Sequence, residues 1–217
     1  MNEAGRENII SVLQASSEIP ASNFFHAEWE RARRLSLARY WSGEAAPPER
    51  HAEARLLWSS EALSVRFTCR QEEPLVISEA PQVVEKTLEL WERDVCEIFV
   101  APDKDGPEHY FEFEAAPTGE WIDLEIRYRG EERETDWHYR SGMTAAASIE
   151  EGRVLIAMRI PWEAFGRKPL AGEIWRANLF RCVGSGADRG YLAWQPTRTD
   201  RPNFHVPRAF GLLRFDE

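Results

Sequence analysis

The stretch LWERDVCEIFVAP, residues 90–102, decides the fold class. Read as an extended strand, it sets Trp91, Arg93, Val95, Glu97 and Phe99 on one face and Asp94, Cys96, Ile98 and Val100 on the other. Both faces are largely apolar, which is the pattern of a strand covered on both sides. A carboxylate at Glu97 is therefore expected in poor solvent, where something must satisfy it. A large aromatic, a guanidinium and a sequestered acid on one strand face describe a site for a polar ligand that also has a flat apolar surface.

Downstream, the same two-residue period recurs. After the turn-rich APDKDGPEHY, the run YFEFEAAPTGEWIDLEIRYRG (residues 110–130) reads as two alternating strands joined at Pro117, Thr118 and Gly119, a hairpin. A second hairpin is expected where MTAAASIE and RVLIAMRIPW flank Glu151 and Gly152. PWEAFG then offers a single helical turn, entered at Pro161 and left at Gly166. EIWRANLFRCV, YLAW and AFGLLRF supply three more strands.

Upstream, Leu63, Val65, Phe67 and Cys69 alternate with Ser64, Arg66, Thr68 and Arg70, and LLWSS and residues 34–40 are further strand candidates. Residues 72–89 read as a loop in which VVEKTLELW could form a helical turn. Ile9, Ile10 and Leu13 give a weak amphipathic pattern that ends at Pro20, so residues 1–24 are expected to form an arm or short helix. Residues 25–217 are expected to form one domain: an all-β, antiparallel, jelly-roll-like sandwich of about nine to eleven strands with one or two short helical turns.

Composition narrows the function. A net charge of −10 disfavours a phosphate backbone as partner, so nucleic acid is not expected. No apolar run reaches membrane-spanning length and residues 1–17 do not resemble a leader, so the sequence as written predicts a cytoplasmic chain with no membrane partner. Secretion would require a leader ahead of it. Cys69, Cys96 and Cys182 fall inside strand-like segments without metal spacing and read as buried free thiols. Nine tryptophans exceed what a core needs, because each indole N–H wants a partner, so some are expected on a surface that touches something.

Four blocks then carry a resemblance. They are W-x-x-D-x-x-E-I-F at Trp91, Asp94, Glu97, Ile98 and Phe99, the hairpin YFEFEAAPTGEWIDL, the span from IPWEAFG to IWRANLFR, and AWQPTRTDRPNFHVPRAFGLLRF. In this order, over residues 28–215, the chain resembles the carbohydrate-binding modules of family 9 and their stand-alone relatives. The resemblance implies a non-catalytic β-sandwich that takes the end of a glycan, or a mono- or disaccharide, between two tryptophans. Here these would be Trp91 and Trp194, with Glu97 as the polar partner. It requires no cofactor and allows a structural calcium ion. Where relatives often carry Asn after the F-E-F-E strand, this chain has Ala115 and Ala116, which removes one expected hydrogen bond to sugar.

The residues themselves support part of this set. Trp91 precedes the strand proper among Glu92, Arg93 and Asp94, a setting in which indole stacks on the C–H face of a pyranose while rim groups bond its hydroxyls. Glu97 could also pair with Arg176 or Arg181, and Asn178 shares a strand face with Arg176. The expected ligand-binding residues are thus Trp91, Arg93, Glu97, Arg176, Asn178 and Trp194, with no metal ligand among them. Trp121, Trp162 and Trp175 read as structural, His205 reads as structural with lining of the site as its alternative, and D-K-D-G at residues 103–106 reads as an ordinary turn, since the later acids of a calcium loop are missing.

Two rival functions are weaker. A haem b-binding sandwich would need axial ligands, for which Met143, Met158 and His205 are the candidates. A glycoside hydrolase using Asp94 and Glu97 fails because the two point to opposite faces of an extended strand.

Overall fold

Fourteen strands and six short 3₁₀ turns make up the regular structure of residues 9–217, the part of the chain that the computed structural model describes. In chain order the strands are β1 (Ile9–Gln14), β2 (Leu35–Leu37), β3 (Arg39–Tyr40), β4 (Ala52–Trp58), β5 (Ala62–Arg70), β6 (Val95–Ala101) and β7 (His109–Ala115). They continue as β8 (Trp121–Arg129), β9 (Glu132–Asp136), β10 (Thr144–Glu150), β11 (Arg153–Pro161), β12 (Ile174–Val183), β13 (Gly190–Ala193) and β14 (Gly211–Asp216).

The chain is all-β, as its alternation predicts, and the finer architecture differs from expectation. One hydrogen-bonded sheet runs in the order β10-β11-β5-β4-β1-β14-β12-β6-β7-β8-β9, with β2, β3 and β13 attached beside this path. The sheet curls until β10 and β11 approach β7, and the main apolar core fills the space between its two halves. The count of nine to eleven strands is too low because β3 is only two residues long and β9, ERETD, is a polar, largely exposed edge strand with no apolar alternation.

Residues 9–14 correct the reading of a helix. Ile9, Ile10 and Leu13 lie on a strand, not a helical face, and β1 runs parallel to both of its neighbours, β14 and β4. The sheet is therefore not wholly antiparallel. β1 closes the seam between the two halves of the sheet, with Ile10 and Val12 buried in the main core. The part of the expected helix at residues 1–8 lies outside the described residues.

Both predicted hairpins form, β7 with β8 and β10 with β11. Gly119 turns the first with φ 85° and Gly166 ends the 3₁₀ turn Trp162–Phe165 with φ 68°, values that favour a residue without Cβ. The expected helical turn within residues 83–91 is reduced to a 3₁₀ turn at Leu90–Glu92.

Strand β6 is covered on both faces, as its sequence requires. Cys96, Ile98 and Val100 enter the main core. Val95, Phe99 and Ala101 join a second apolar cluster with Tyr110, Ile122, Leu124 and Phe180 on the outer face, roofed by Phe204 and Phe210 from the segment between β13 and β14. The three thiols are free and buried, with the sulfurs of Cys69 and Cys96 3.4 Å apart. Among the described residues no helix is long and apolar enough to cross a membrane.

Candidate functional site

Where the outer cluster stops short of closing over β6 and β7, a cavity of about 280 Å³ remains. Register builds its floor. Glu97 on β6 lies directly opposite Glu114 on β7, and Phe99 opposite Glu112, so alternation sends these three carboxylates to one face. Glu97, Glu112 and Glu114 are 1%, 3% and 0% exposed, and each brings an oxygen within 4.8 Å of the others. The Sγ of Cys182 donates a long, weak bond of 3.4 Å to Oε1 of Glu97. Both oxygens of Glu114 and Oε2 of Glu112 accept no hydrogen bond.

Burial and mutual repulsion govern the protonation of this floor. Burial first, and then the charge of Glu112, push the Glu97 carboxyl up to about 8. Glu112 is raised by burial, and Glu114 is raised well above the ordinary carboxylate range by burial and by its two neighbours. His205 closes one side. Its Nδ1 lies 2.8 Å from the Tyr110 hydroxyl and 3.9 Å from Oε2 of Glu112, and burial pulls the ring down to about 3, so it stays neutral.

The mouth is aromatic. Trp91, in the Leu90–Glu92 turn, and Trp137, just after β9, bring their rings to 6.2 Å at 48°. Trp137 is 45% exposed. The indole N–H groups of Trp29, Trp41, Trp58, Trp121, Trp162 and Trp175 each donate to an acceptor within the protein. Among the described residues Trp91, Trp137 and Trp194 carry no such bond, a condition that leaves an indole free to meet something other than its own chain, and of the three Trp91 and Trp137 line this cavity. Arg189 fixes the Trp91 turn by donating to the carbonyls of Trp91, Arg93 and Gly184. Asp94, buried and pushed up to about 6 by burial, accepts the backbone N–H of Gly184 on Oδ1 and donates its own backbone N–H to the carbonyl of Val76.

Of the six residues expected to bind ligand, the fold brings only Trp91 and Glu97 to this cavity. Arg93 turns away to pair with buried Glu120 at 2.8 Å, because the chain at residues 90–92 is a 3₁₀ turn and the alternation read through it does not hold. Arg176 donates to the carbonyls of Lys104 and Phe210. Asn178 is fully buried and spends its amide on the backbone of Gln195 and Leu179. Neither Arg176 nor Arg181 pairs with Glu97, and Arg181 reaches Arg50, His51 and Gln71 from the opposite face of β12.

Trp194 is also elsewhere. It packs against the main core and over Gly211, lining a separate shallow groove with Arg33, Arg34 and Arg39. The haem ligands do not assemble either: Met143 and Met158 lie in the main core, and His205 lines the cavity on the other side of β6. D-K-D-G bends as a turn in which Asp103 Oδ1 accepts the N–H of Asp105 at 2.9 Å.

Three contributors escape the sequence reading: Trp137, Glu112 and Glu114. The F-E-F-E alternation already put Glu112 and Glu114 on one face, and only the pairing of β7 with β6 was missing. Trp137 follows a strand too polar to announce itself, and its one signal is an indole set among charged residues in ERETDWHYR.

Comparison with known proteins places the chain in a family. A model described as "Carbohydrate family 9 binding domain-like" matches residues 23–217. A candidate carbohydrate-binding protein from Bacteroides uniformis superposes with a TM-score of 0.75 at 18% identity, over 96% of this chain and 99% of that one. A family 9 carbohydrate-binding module from Caldicellulosiruptor kristjanssonii, solved with glucose, superposes at 0.69 with 15% identity, over 96% of this chain and 95% of that one. The same organism's module with cellotriose gives 0.67 at 14% identity, over 96% and 93%. No curated protein matches the chain.

Proposed function

This chain belongs to the carbohydrate family 9 binding domain-like family, and on that basis we propose that it binds the end of a glycan, or a mono- or disaccharide, without catalysis. The observation that carries the reading is the cavity over β6 and β7, where two unbonded indoles stand above a floor of buried acids. Apolar C–H faces of a sugar ring suit the indoles, and its hydroxyls suit the carboxyl groups. Neighbours in the family fold were solved with glucose and with cellotriose, which supports a saccharide as the ligand class.

The two-tryptophan arrangement proposed here pairs Trp91 with Trp137 in place of Trp194. Rings 6.2 Å apart at 48° leave no room for a pyranose between them, since two stacking contacts of about 3.5–4.0 Å each need roughly 7–8 Å. They act instead as one continuous wall against which a ring lies. A cavity of about 280 Å³ sits at the small end of ligand pockets, which favours one terminal sugar over an internal stretch of chain.

Hydrolysis fits less well. The three glutamates bunch on one floor within 4.8 Å and do not straddle a bond from two sides. Titration of mono- and disaccharides against intrinsic tryptophan fluorescence tests the reading. A saturable change that Trp137→Ala abolishes is expected, and no response up to about 10 mM sugar, an affinity too weak to matter, would sink it.

A further inference from the structure

The three glutamates on the cavity floor leave a charge problem that the described residues do not solve. Only Glu112 has a basic side chain near it among the described residues, His205 at 3.9 Å, and that ring is neutral and forms no ion pair. Arg189 directs its Nη atoms to backbone carbonyls, and Arg133 stands at the rim on the exposed strand β9. Carboxylates this close repel strongly in a medium of low dielectric. Either protons or an incoming cation must hold them together. Glu114, fully buried with both oxygens unpartnered, faces into this space.

The acceptors of the floor and the walls above them bear on which cation it would take. Calcium takes about six to eight oxygen ligands and would need both oxygens of all three carboxyl groups, which lie here beneath apolar walls of Trp91, Phe99, Leu124, Trp137 and Phe204. A primary ammonium has three N–H donors and no acceptor. Along tetrahedral directions, with bonds of about 2.8 Å, its three acceptors lie roughly 4.6 Å from one another. The floor offers one oxygen from each glutamate within 4.8 Å of the others. Aromatic faces around such a cation attract it further.

We propose that the ligand of this cavity carries a primary ammonium, as an amino sugar does, seated among Glu97, Glu112 and Glu114 with its ring against Trp91 and Trp137. The ring's place rests on the saccharide reading above. The ammonium's place rests on the glutamates alone.

Calorimetric titration of the full chain near neutral pH with D-glucosamine, D-glucose and cyclohexylamine separates the two. Glucosamine is expected to bind at least about tenfold more tightly than glucose, as charge-assisted hydrogen bonds require. In Glu114→Gln, and independently in Glu112→Gln, that ratio falls toward one, with both variants verified as folded by near-ultraviolet circular dichroism. Equal binding of the two sugars to the parent chain would overturn the ammonium and leave the saccharide reading standing. If calcium chloride also titrates the floor in that case, the cluster belongs to a metal. Cyclohexylamine binding as tightly as glucosamine with glucose silent would keep the ammonium and overturn the sugar. No heat from any of the three up to about 10 mM would overturn both.

Discussion

Glu97 on β6 and Glu114 on β7 face each other as directly opposed residues of an antiparallel pair, both buried. Like charges so placed destabilise a sheet, and the consequence is a pH dependence whose sign can be worked out. A glutamate raised from 4.5 to about 8, as Glu97 is, binds more protons folded than unfolded between those values. Its stability contribution is therefore present below about pH 4.5 and lost as pH rises through about 8. His205, lowered from 6.5 to about 3, acts in the opposite sense, but only below 6.5. Asp94, raised to about 6, has exerted its effect by then. Between pH 6.5 and 8 Glu97 lowers the midpoint of thermal unfolding as pH rises, opposed above about pH 7 by the Cys69 thiol, which its hydrogen bond to Cys96 lowers to about 7, so the slope should be less negative in Glu97→Gln. Identical slopes in the two proteins would contradict the account.

Trp137 makes no hydrogen bond through its indole and is 45% exposed, so its removal should spare the fold. Trp137→Ala is expected to change stability by no more than about 1 kcal/mol while weakening saccharide binding at least about tenfold. Trp194→Ala, on its separate groove, should leave that affinity unaltered. Reversal of the two results would return Trp194 to the site.

Arg189 touches no part of the proposed ligand, yet it holds the carbonyls of Trp91, Arg93 and Gly184 together. Arg189→Ala should weaken binding several-fold through loss of the Trp91 position and lower stability by roughly 1–3 kcal/mol. The Trp91 contribution to near-ultraviolet circular dichroism should diminish with it. An unchanged spectrum together with unchanged affinity would show that the turn holds its shape without the guanidinium.

Lys86 pairs with Asp123 at 2.6 Å, with side chains 5% and 1% exposed, and also donates to the carbonyls of Asp123 and Tyr139. Lys86→Met leaves a buried carboxylate without its partner and is expected to cost about 3–5 kcal/mol in chemical denaturation. Restoring stability by the added change Asp123→Asn would tie that loss to the orphaned charge. A single variant as stable as the parent would deny the pair any role.

Strand β1 fills the seam between β4 and β14, and its removal exposes an edge on each. A chain beginning at residue 15 should unfold at least about 5 °C lower and associate through the opened edges. An unchanged, monomeric truncation would show that the curled sheet closes without it.

Much of the fold is legible in the sequence. The period of two in residues 62–70, 110–129 and 144–160 needs no tertiary information, because each strand there buries one face in the core whatever strand pairs with it. β6 declares itself covered on both sides, and Glu97 as an acid in poor solvent follows directly. β9 does not, because an exposed edge strand has no core to impose a pattern. β1 misleads for a different reason: six residues of IISVLQ are too few to separate a helical period from a strand between two parallel neighbours.

The sequence by itself determined the class, the hairpins and the face on which Glu97 lies, since these depend on the local alternation of side chains. Only the tertiary structure decided what Glu97 meets. Alternation names a face but not the neighbouring strand, so the pairing of β6 with β7 was needed to gather three glutamates, and the curl of β8 into β9 to stand Trp137 beside Trp91. Arg93, Arg176, Asn178 and Trp194 share the right residue types and a plausible order along the chain, and the fold spends each on another contact.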